Sequence, residues 1–194
     1  MPKTPPPADN AELQPLPDFL EGALDIVTIG VNPSIASARA GFYYANPRNR
    51  FWPALNASTL VDEELAPGID SIARLAGRHG IGFTDIVKRP TPMEKDLPVA
   101  ELRAGAEILR DKLLAVRPAI LWFNGKTPHD RLMRLLGLEK AAGWGEQPQR
   151  WEGMRCFVAP NPSPANAAFS LDELVGWYDR LAALRAALRD GSTA

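Results

Sequence analysis

The sequence predicts an α/β fold, a three-layer α/β/α sandwich around a mainly parallel sheet of four to five strands. Three observations predict it. Four short runs are continuously apolar rather than alternating, the mark of strands covered on both faces. Helix-period patterns lie between these runs. The alternation of strand and helix is the arrangement that returns the chain to a parallel sheet through crossover helices.

The expected strands are Asp25–Gly30, Ile81–Asp85, Ala119–Asn124 and Arg155–Ala159. The clearest helix places Val99, Leu102, Ala106, Leu109, Leu113 and Val116 on one apolar face, and Pro118 stops it. A second helix is read from Thr127 as N-cap and Pro128 at the first helical position, running through Leu132, Leu135 and Leu136 to Gly137. The last begins at Ser170, with Glu173 completing a capping box, and turns Leu174, Trp177, Leu181, Leu184 and Leu188 inward. Phe51 and Trp52 open a further helix and belong to the core.

Residues 1–17 hold six of the 19 prolines and read as a disordered, Pro-rich lead-in. Residues 18–194 read as a single domain. A chain of 194 residues with 45% hydrophobic and 23% charged side chains has a globular composition and needs no covalent staple. Its lone Cys156 excludes an intramolecular disulfide, an iron–sulfur cluster and a Cys-rich zinc site, which fits a reducing cytoplasm. No apolar run approaches the roughly 18 residues of a membrane span, and the lead-in lacks the apolar core of a secretory signal.

In parallel sheets of this kind ligands bind beyond the carboxyl ends of the strands. The segments there are Gly30–Ser37, Thr84–Thr91, Asn124–Thr127 and Pro160–Asn166. Two contain Asn-Pro-Ser, at Asn32–Ser34 and Asn161–Ser163. Pro fixes the backbone and Asn offers both a donor and an acceptor, so the pair is read as a rigid floor for a planar, hydrogen-bonding ligand. Either triplet alone is also ordinary turn chemistry. The loop after the first strand lacks the glycine fingerprint of a dinucleotide site and the ending of a P-loop. No nucleophile elbow occurs, and the only imidazoles, His79 and His129, do not make a Ser-His-Asp arrangement. No residue spacing indicates a metal site. From Gly41 to Trp52, aromatics interleave with Arg48, Asn49 and Arg50, a composition that can stack on a base and hold phosphates.

Four blocks carry a family resemblance: Gly30-Val-Asn32-Pro-Ser34, the long run Gly41 to Trp52, Arg89-Pro-Thr91 and Asn161-Pro-Ser163. In that order, over about residues 24–185, they resemble the mismatch-specific uracil/thymine DNA glycosylases, the second family of the uracil-DNA glycosylase superfamily. The resemblance implies the superfamily's α/β sandwich and hydrolysis of the N-glycosidic bond between uracil and deoxyribose. The base must first leave the helical stack. Asn32 matches the Asn that positions the water, so Asn32 is an expected catalytic residue. Gly30, Ser37 and Tyr44 match the base pocket, with the Tyr44 ring stacking on the flipped base. Asn161 and Ser163 match the second motif. Arg50, Lys126, Pro164, Ala165 and Asn166 are expected at the DNA, although Lys126 reads equally as a solvated lysine at a helix start.

Two departures from the family pattern matter. After Asn161-Pro-Ser163 the family often has Gly, a long apolar wedge and an Arg; here stand Pro164, Ala165, Asn166 and Ala167. Ala165 is too short to fill the hole left by a flipped nucleotide, so weaker dependence on the opposite base and activity on single strands are expected. Asp85 stands where the family often has Lys. A carboxylate can take a proton from water and stabilise a sugar cation, which Asn cannot do at neutral pH. Asp85 is therefore a second catalytic candidate, with a turn cap facing Lys88 or Arg89 as the competing role.

The formal net charge of −1 is not that of a typical nucleic-acid binder, but its distribution is uneven. Residues 1–25 carry Lys3 against Asp9, Glu12, Asp18, Glu21 and Asp25, whereas residues 26–61 carry Arg39, Arg48 and Arg50 and no acid. From Cys156 to Leu171 no charged residue occurs. An acid-free rim predicts modest, salt-sensitive binding through few phosphates. The expected partners are DNA with uracil mismatches or as single strands, and free uracil as product. The protein is expected to be a cytoplasmic monomer without metal or cofactor. The competing reading is a non-catalytic base-binding module on the same fold.

Overall fold

A computed structural model describes residues 13–191. Five strands, β1 (Ile26–Gly30), β2 (Ile81–Asp85), β3 (Ile120–Asn124), β4 (Gly145–Trp151) and β5 (Met154–Ala159), form one sheet in the order β2-β1-β3-β5-β4. All neighbours are parallel except β4 and β5, which are antiparallel. The four strands read from sequence are present. β4 is the one the sequence hides. Its Gly-Glu-Gln-Pro-Gln-Arg-Trp has no apolar run, and Pro148 fits there because β4 lies at the sheet edge.

Period-two alternation sends each strand's side chains to two cores. On one face Ile26, Phe83, Trp122 and Phe157 meet α2 (Phe51–Ala57), α3 (Ile69–Gly77) and α6 (Leu171–Arg189). On the other, Val27, Ile29, Leu121, Phe123 and Val158 meet α4 (Val99–Val116) and α5 (Lys126–Leu135). A short helix, α1 (Ile35–Ala40), follows β1 directly. The result is the three-layer sandwich.

Local readings hold to different degrees. α4 spans the expected Val99–Val116, but Val99 is exposed while Leu102, Ala106, Leu109 and Leu113 face the core. α6 has the Ser170–Glu173 capping box, with Ser170 Oγ accepting from the Glu173 amide at 3.2 Å. Its most buried aromatic is Tyr178; Trp177 is half-buried at the core margin. α5 begins two residues earlier than read. Gly125, at φ 111°, makes the turn into the helix, so Lys126 is its first residue and Thr127 lies inside the first turn.

The lead-in reading needs correction where it can be checked. Residues 1–12 lie outside the described residues, but Leu16 is 2% exposed and belongs to the core. Phe19 exchanges backbone hydrogen bonds with Phe83 of β2, at 2.9 and 3.1 Å. The ordered chain therefore starts before Asp18. Apolar Leu16 between prolines carries no periodic signal, which is why sequence places it outside the fold.

Candidate active site

The carboxyl ends of β1, β2 and β3 open on a cavity of about 320 Å³, at the small end of ligand sites (roughly 300–1,000 Å³). Gly30, Asn32, Ser37, Tyr44, Asp85, Asn161, Ser163 and Pro164, all read from sequence as site residues, line it. So do Thr28, Tyr43, Asn124 and Leu16, which sequence reasoning did not assign.

Asp85 ends β2 opposite Gly30 in the parallel register. It is 4% exposed, and its Oδ1 would lie 2.2 Å from a Cβ on Gly30. Glycine is required there to give the carboxylate room. Oδ2 is buried without a hydrogen-bond partner, and so is the hydroxyl of Thr28, on the same sheet face and in the same cavity. Buried polar atoms of this kind are rare unless water or ligand completes them. Burial pushes the Asp85 carboxyl up to about 6, against the opposing charge of Lys88 and the neighbouring Tyr43 hydroxyl. Lys88 Nζ lies 3.7 Å from Oδ2, an ion-pair distance too long for a hydrogen bond. Asp85 therefore faces Lys88, as the competing role had it, but its Oδ2 caps no backbone group.

Asn32 follows β1 in the wall of the cavity. Its amide nitrogen donates to the Arg89 carbonyl at 3.0 Å and to Thr91 Oγ1 at 2.7 Å. A carbonyl can only accept, so the orientation of the amide is fixed and the remaining atom, Oδ1, is an acceptor. This bond joins the first and third sequence blocks. Ser34 caps α1, accepting from the Ser37 amide at 3.1 Å, and the two hydroxyls are hydrogen-bonded at 3.1 Å.

Tyr44 lies against Phe51, with ring centroids 3.9 Å apart and planes 6° from parallel. Phe51 does not line the cavity and Tyr44 does, so Tyr44 is an aromatic wall backed by a second ring. Its φ of 57° is a strained conformation for a bulky residue. The Trp52 indole donates to its carbonyl at 3.2 Å, and Asn124 Nδ2 donates to its hydroxyl at 2.8 Å. Asn124, 8% exposed at the end of β3, also accepts from the Tyr178 hydroxyl at 3.4 Å. The recurrence of Asn at strand ends was the sequence signal that could have marked it.

The second Asn-Pro-Ser loop is closed on itself. Asn161 Oδ1 accepts from the Ser163 amide at 2.9 Å, and Asn166 Nδ2 donates to the Asn161 carbonyl at 2.9 Å. Pro164 and Ala165 are exposed at its tip. Arg50 lies under this loop rather than at its surface. Its guanidinium donates to the carbonyls of Asn166 at 2.6 Å, Ser163 at 3.3 Å and Phe169. The guanidinium is therefore a brace beneath the loop, with both terminal nitrogens bonded to loop carbonyls and Nε buried without a partner, rather than a side chain reaching out to a phosphate. Lys126 Nζ stands 4.9 Å from the Trp144 ring centroid and makes no ion pair among the described residues, so its charge is available.

Two other features lie apart from the cavity. Asp62, Glu63 and His79 come together although their spacing gives no metal signature. Arg74 and Arg78 already pair with both carboxylates, so the group is an ion-pair cluster. Cys156 is buried on β5, its thiol pushed up to about 12 by burial, and unreactive there. Among the described residues no helix is long and apolar enough to cross a membrane.

A small cavity at the carboxyl edge of a parallel sheet, with a buried carboxylate and an aromatic wall, lies where α/β sandwiches hold their ligands. The chain belongs to the uracil DNA glycosylase superfamily, whose model matches residues 17–189. That span takes in every residue of the site but Leu16, and membership supports DNA glycosylase activity in general. A solution NMR structure of a protein from Methanosarcina acetivorans, provisionally named a uracil DNA glycosylase, matches with a TM-score of 0.57 at 22% identity. The match covers 90% of this chain and 97% of that one, and it shows the shared fold.

Proposed function

We propose that the protein is a monofunctional uracil-DNA glycosylase of the mismatch-specific kind that depends only weakly on the opposite base. It flips uracil out of DNA and hydrolyses the N-glycosidic bond, leaving an abasic site and free uracil. The observation that carries this reading is the Asp85 carboxylate, buried and with one oxygen unpartnered, in a cavity shared with Asn32 and Tyr44.

The geometry supports the following chemistry. As the bond from C1′ to the base breaks, its electron pair leaves with uracil and positive charge collects on the sugar. Asp85 stabilises that cation and takes the proton of the attacking water, whose oxygen bonds to C1′. Asn32 Oδ1 accepts a hydrogen bond from the water's other O–H, which stays on the oxygen, and so aims the water. Tyr44, held flat by Phe51, stacks on the base, while Ser37 and Asn124 offer polar atoms around it. Gly30 keeps the carboxylate's place free. On the strand, Lys126, Asn161, Ser163 and Asn166 meet the backbone, and Arg50 supports them from below. Ala165, a short exposed side chain, gives no wedge against the opposite strand. The protein acts as a monomer, without metal or cofactor.

Uracil-containing oligonucleotides, single-stranded or with uracil opposite guanine or adenine, test this in metal-free buffer. Alkali-labile strand scission on all three, with rates within about tenfold of one another, is the expected result. A guanine-opposed rate far above the single-strand rate would remove the weak opposite-base dependence. Binding without scission would leave the non-catalytic base-binding module.

A further inference from the structure

Behind the cavity lies a chain of charges that the reaction as described does not use. Lys88, three residues beyond Asp85, points its ammonium at three oxygens. It donates to Asp18 Oδ1 at 2.7 Å and to the Tyr43 hydroxyl at 3.1 Å, and it stands 3.7 Å from Asp85 Oδ2. Asp18 in turn gathers Thr84 Oγ1 at 2.7 Å from β2 and Lys112 Nζ at 2.6 Å from α4. Burial raises the Asp18 carboxyl, but the bonds from Lys112, Lys88 and Thr84 outweigh it and hold it below its ordinary range. The segment carrying Asp18 is fixed by buried Leu16 and by the paired backbone of Phe19 and Phe83.

We propose that Lys88, anchored by Asp18 and Tyr43, is a positioning residue that keeps the Asp85 carboxylate ionised without donating a hydrogen bond to it. The inference rests on the glycosylase reading of the site. Two opposed demands explain the arrangement. A carboxylate this deeply buried takes up a proton unless a cation stands near. A cation bonded directly to it would occupy the oxygen that must accept the water's proton. Asp18 resolves the conflict by holding Lys88 a short step back. Two ammonium groups around one Asp18 carboxylate leave one positive charge over, and ionised Asp85 balances it. The other groups facing Asp85 are Tyr43 and Tyr44, both hydroxyls raised by burial and therefore neutral, and Asp18 itself, whose charge opposes ionisation of Asp85.

The signature is a pair of opposite shifts. Lys88→Met moves the titration of Asp85 upward, by about one pH unit or more, because the cation is gone. Lys88→Arg, which keeps the charge, returns it toward the native position. Asp18→Asn moves it downward, because a repelling charge is lost and Lys88 is freed to close on Asp85. Carbon-detected NMR of the Asp85 carboxyl in the free protein reads these shifts directly. The acid limb of the single-turnover uracil excision rate should move with them in both directions. Equal slowing at every pH in Lys88→Met, with the Asp85 titration unmoved, overturns the proposal, as does an upward shift in Asp18→Asn. If the native protein excises no uracil, the glycosylase reading falls, yet the carboxyl titration still decides whether Lys88 governs Asp85.

Discussion

The chain uses Asn-Pro-Ser twice, and the two copies do different work. At Asn32–Ser34 the Asn amide reaches 57 and 59 residues along the chain, to the Arg89 carbonyl and Thr91 Oγ1, and Ser34 caps α1. At Asn161–Ser163 the same side chains bond within the loop, Asn161 Oδ1 to the Ser163 amide and Ser163 Oγ to the Ala165 amide at 3.3 Å. The first copy joins two strand ends beside a buried carboxylate and builds a chemical wall. The second makes a self-contained exposed turn, braced from beneath by Arg50. A triplet fixes local backbone geometry; what lies across from it fixes its task.

The largest effect that would sharpen this contrast is at the carboxylate wall. Asp85→Asn should lower the single-turnover excision rate by about 10²–10⁴-fold, the range of a lost general base. The same substitution should make the fold more robust at high pH. The folded carboxyl titrates near 6 and the unfolded one near 3.8, so its contribution to stability is present below 3.8 and lost as pH rises through 6. Asp85→Asn should therefore gain roughly 2–3 kcal/mol more relative to native at pH 8 than at pH 4, measured by urea unfolding. A rate near native would erase the distinction between the two loops.

Gly30→Ala comes next. Its Cβ would meet Asp85 Oδ1 at 2.2 Å, and the side-chain end gives way more readily than backbone. Excision should fall by about a hundredfold while stability changes by about 1 kcal/mol, the ordinary size of a point substitution. Unfolding without loss of rate per folded molecule would show that Gly30 serves the backbone alone. Arg50→Ala attacks the other loop: three carbonyls lose a charged donor, at about 2–3 kcal/mol of stability. DNA affinity should weaken with it, while the pH dependence of excision stays in place. The smallest effect belongs to Lys126→Ala, which should reduce the salt slope of DNA binding by about one and leave the single-turnover rate at saturating enzyme unchanged.

Much of this is legible in the sequence. Continuous apolar runs mark β1, β2, β3 and β5 because both sheet faces are covered, and the α4 boundaries follow from its period and from Pro118. Asn32 and Asp85 lie at strand ends or just beyond, where a parallel sheet opens its site, and Tyr44 is legible in the aromatic block Gly41 to Trp52. What stayed hidden depends on long-range contact. β4 is polar and pairs only along one edge, so its pattern resembles a loop. Arg50 looks like a free cation until the carbonyls of residues 163–169 close around it. Leu16 and Asp18 sit in a proline-rich stretch without period, and only their partners on β2 and α4 reveal them. Asn124 was visible as a strand-end Asn, but its bond to Tyr44 was not.

On the proposed reading a buried carboxylate, not the Asn amide alone, drives base excision. Single-turnover uracil release by the native protein, followed from pH 4.5 to 8.5 with Asp85→Asn alongside, tests it most directly. The native rate should rise with pH through about 6 and then level, while the variant stays low and flat. A native rate independent of pH across that range, or a variant that keeps the native profile, would contradict it.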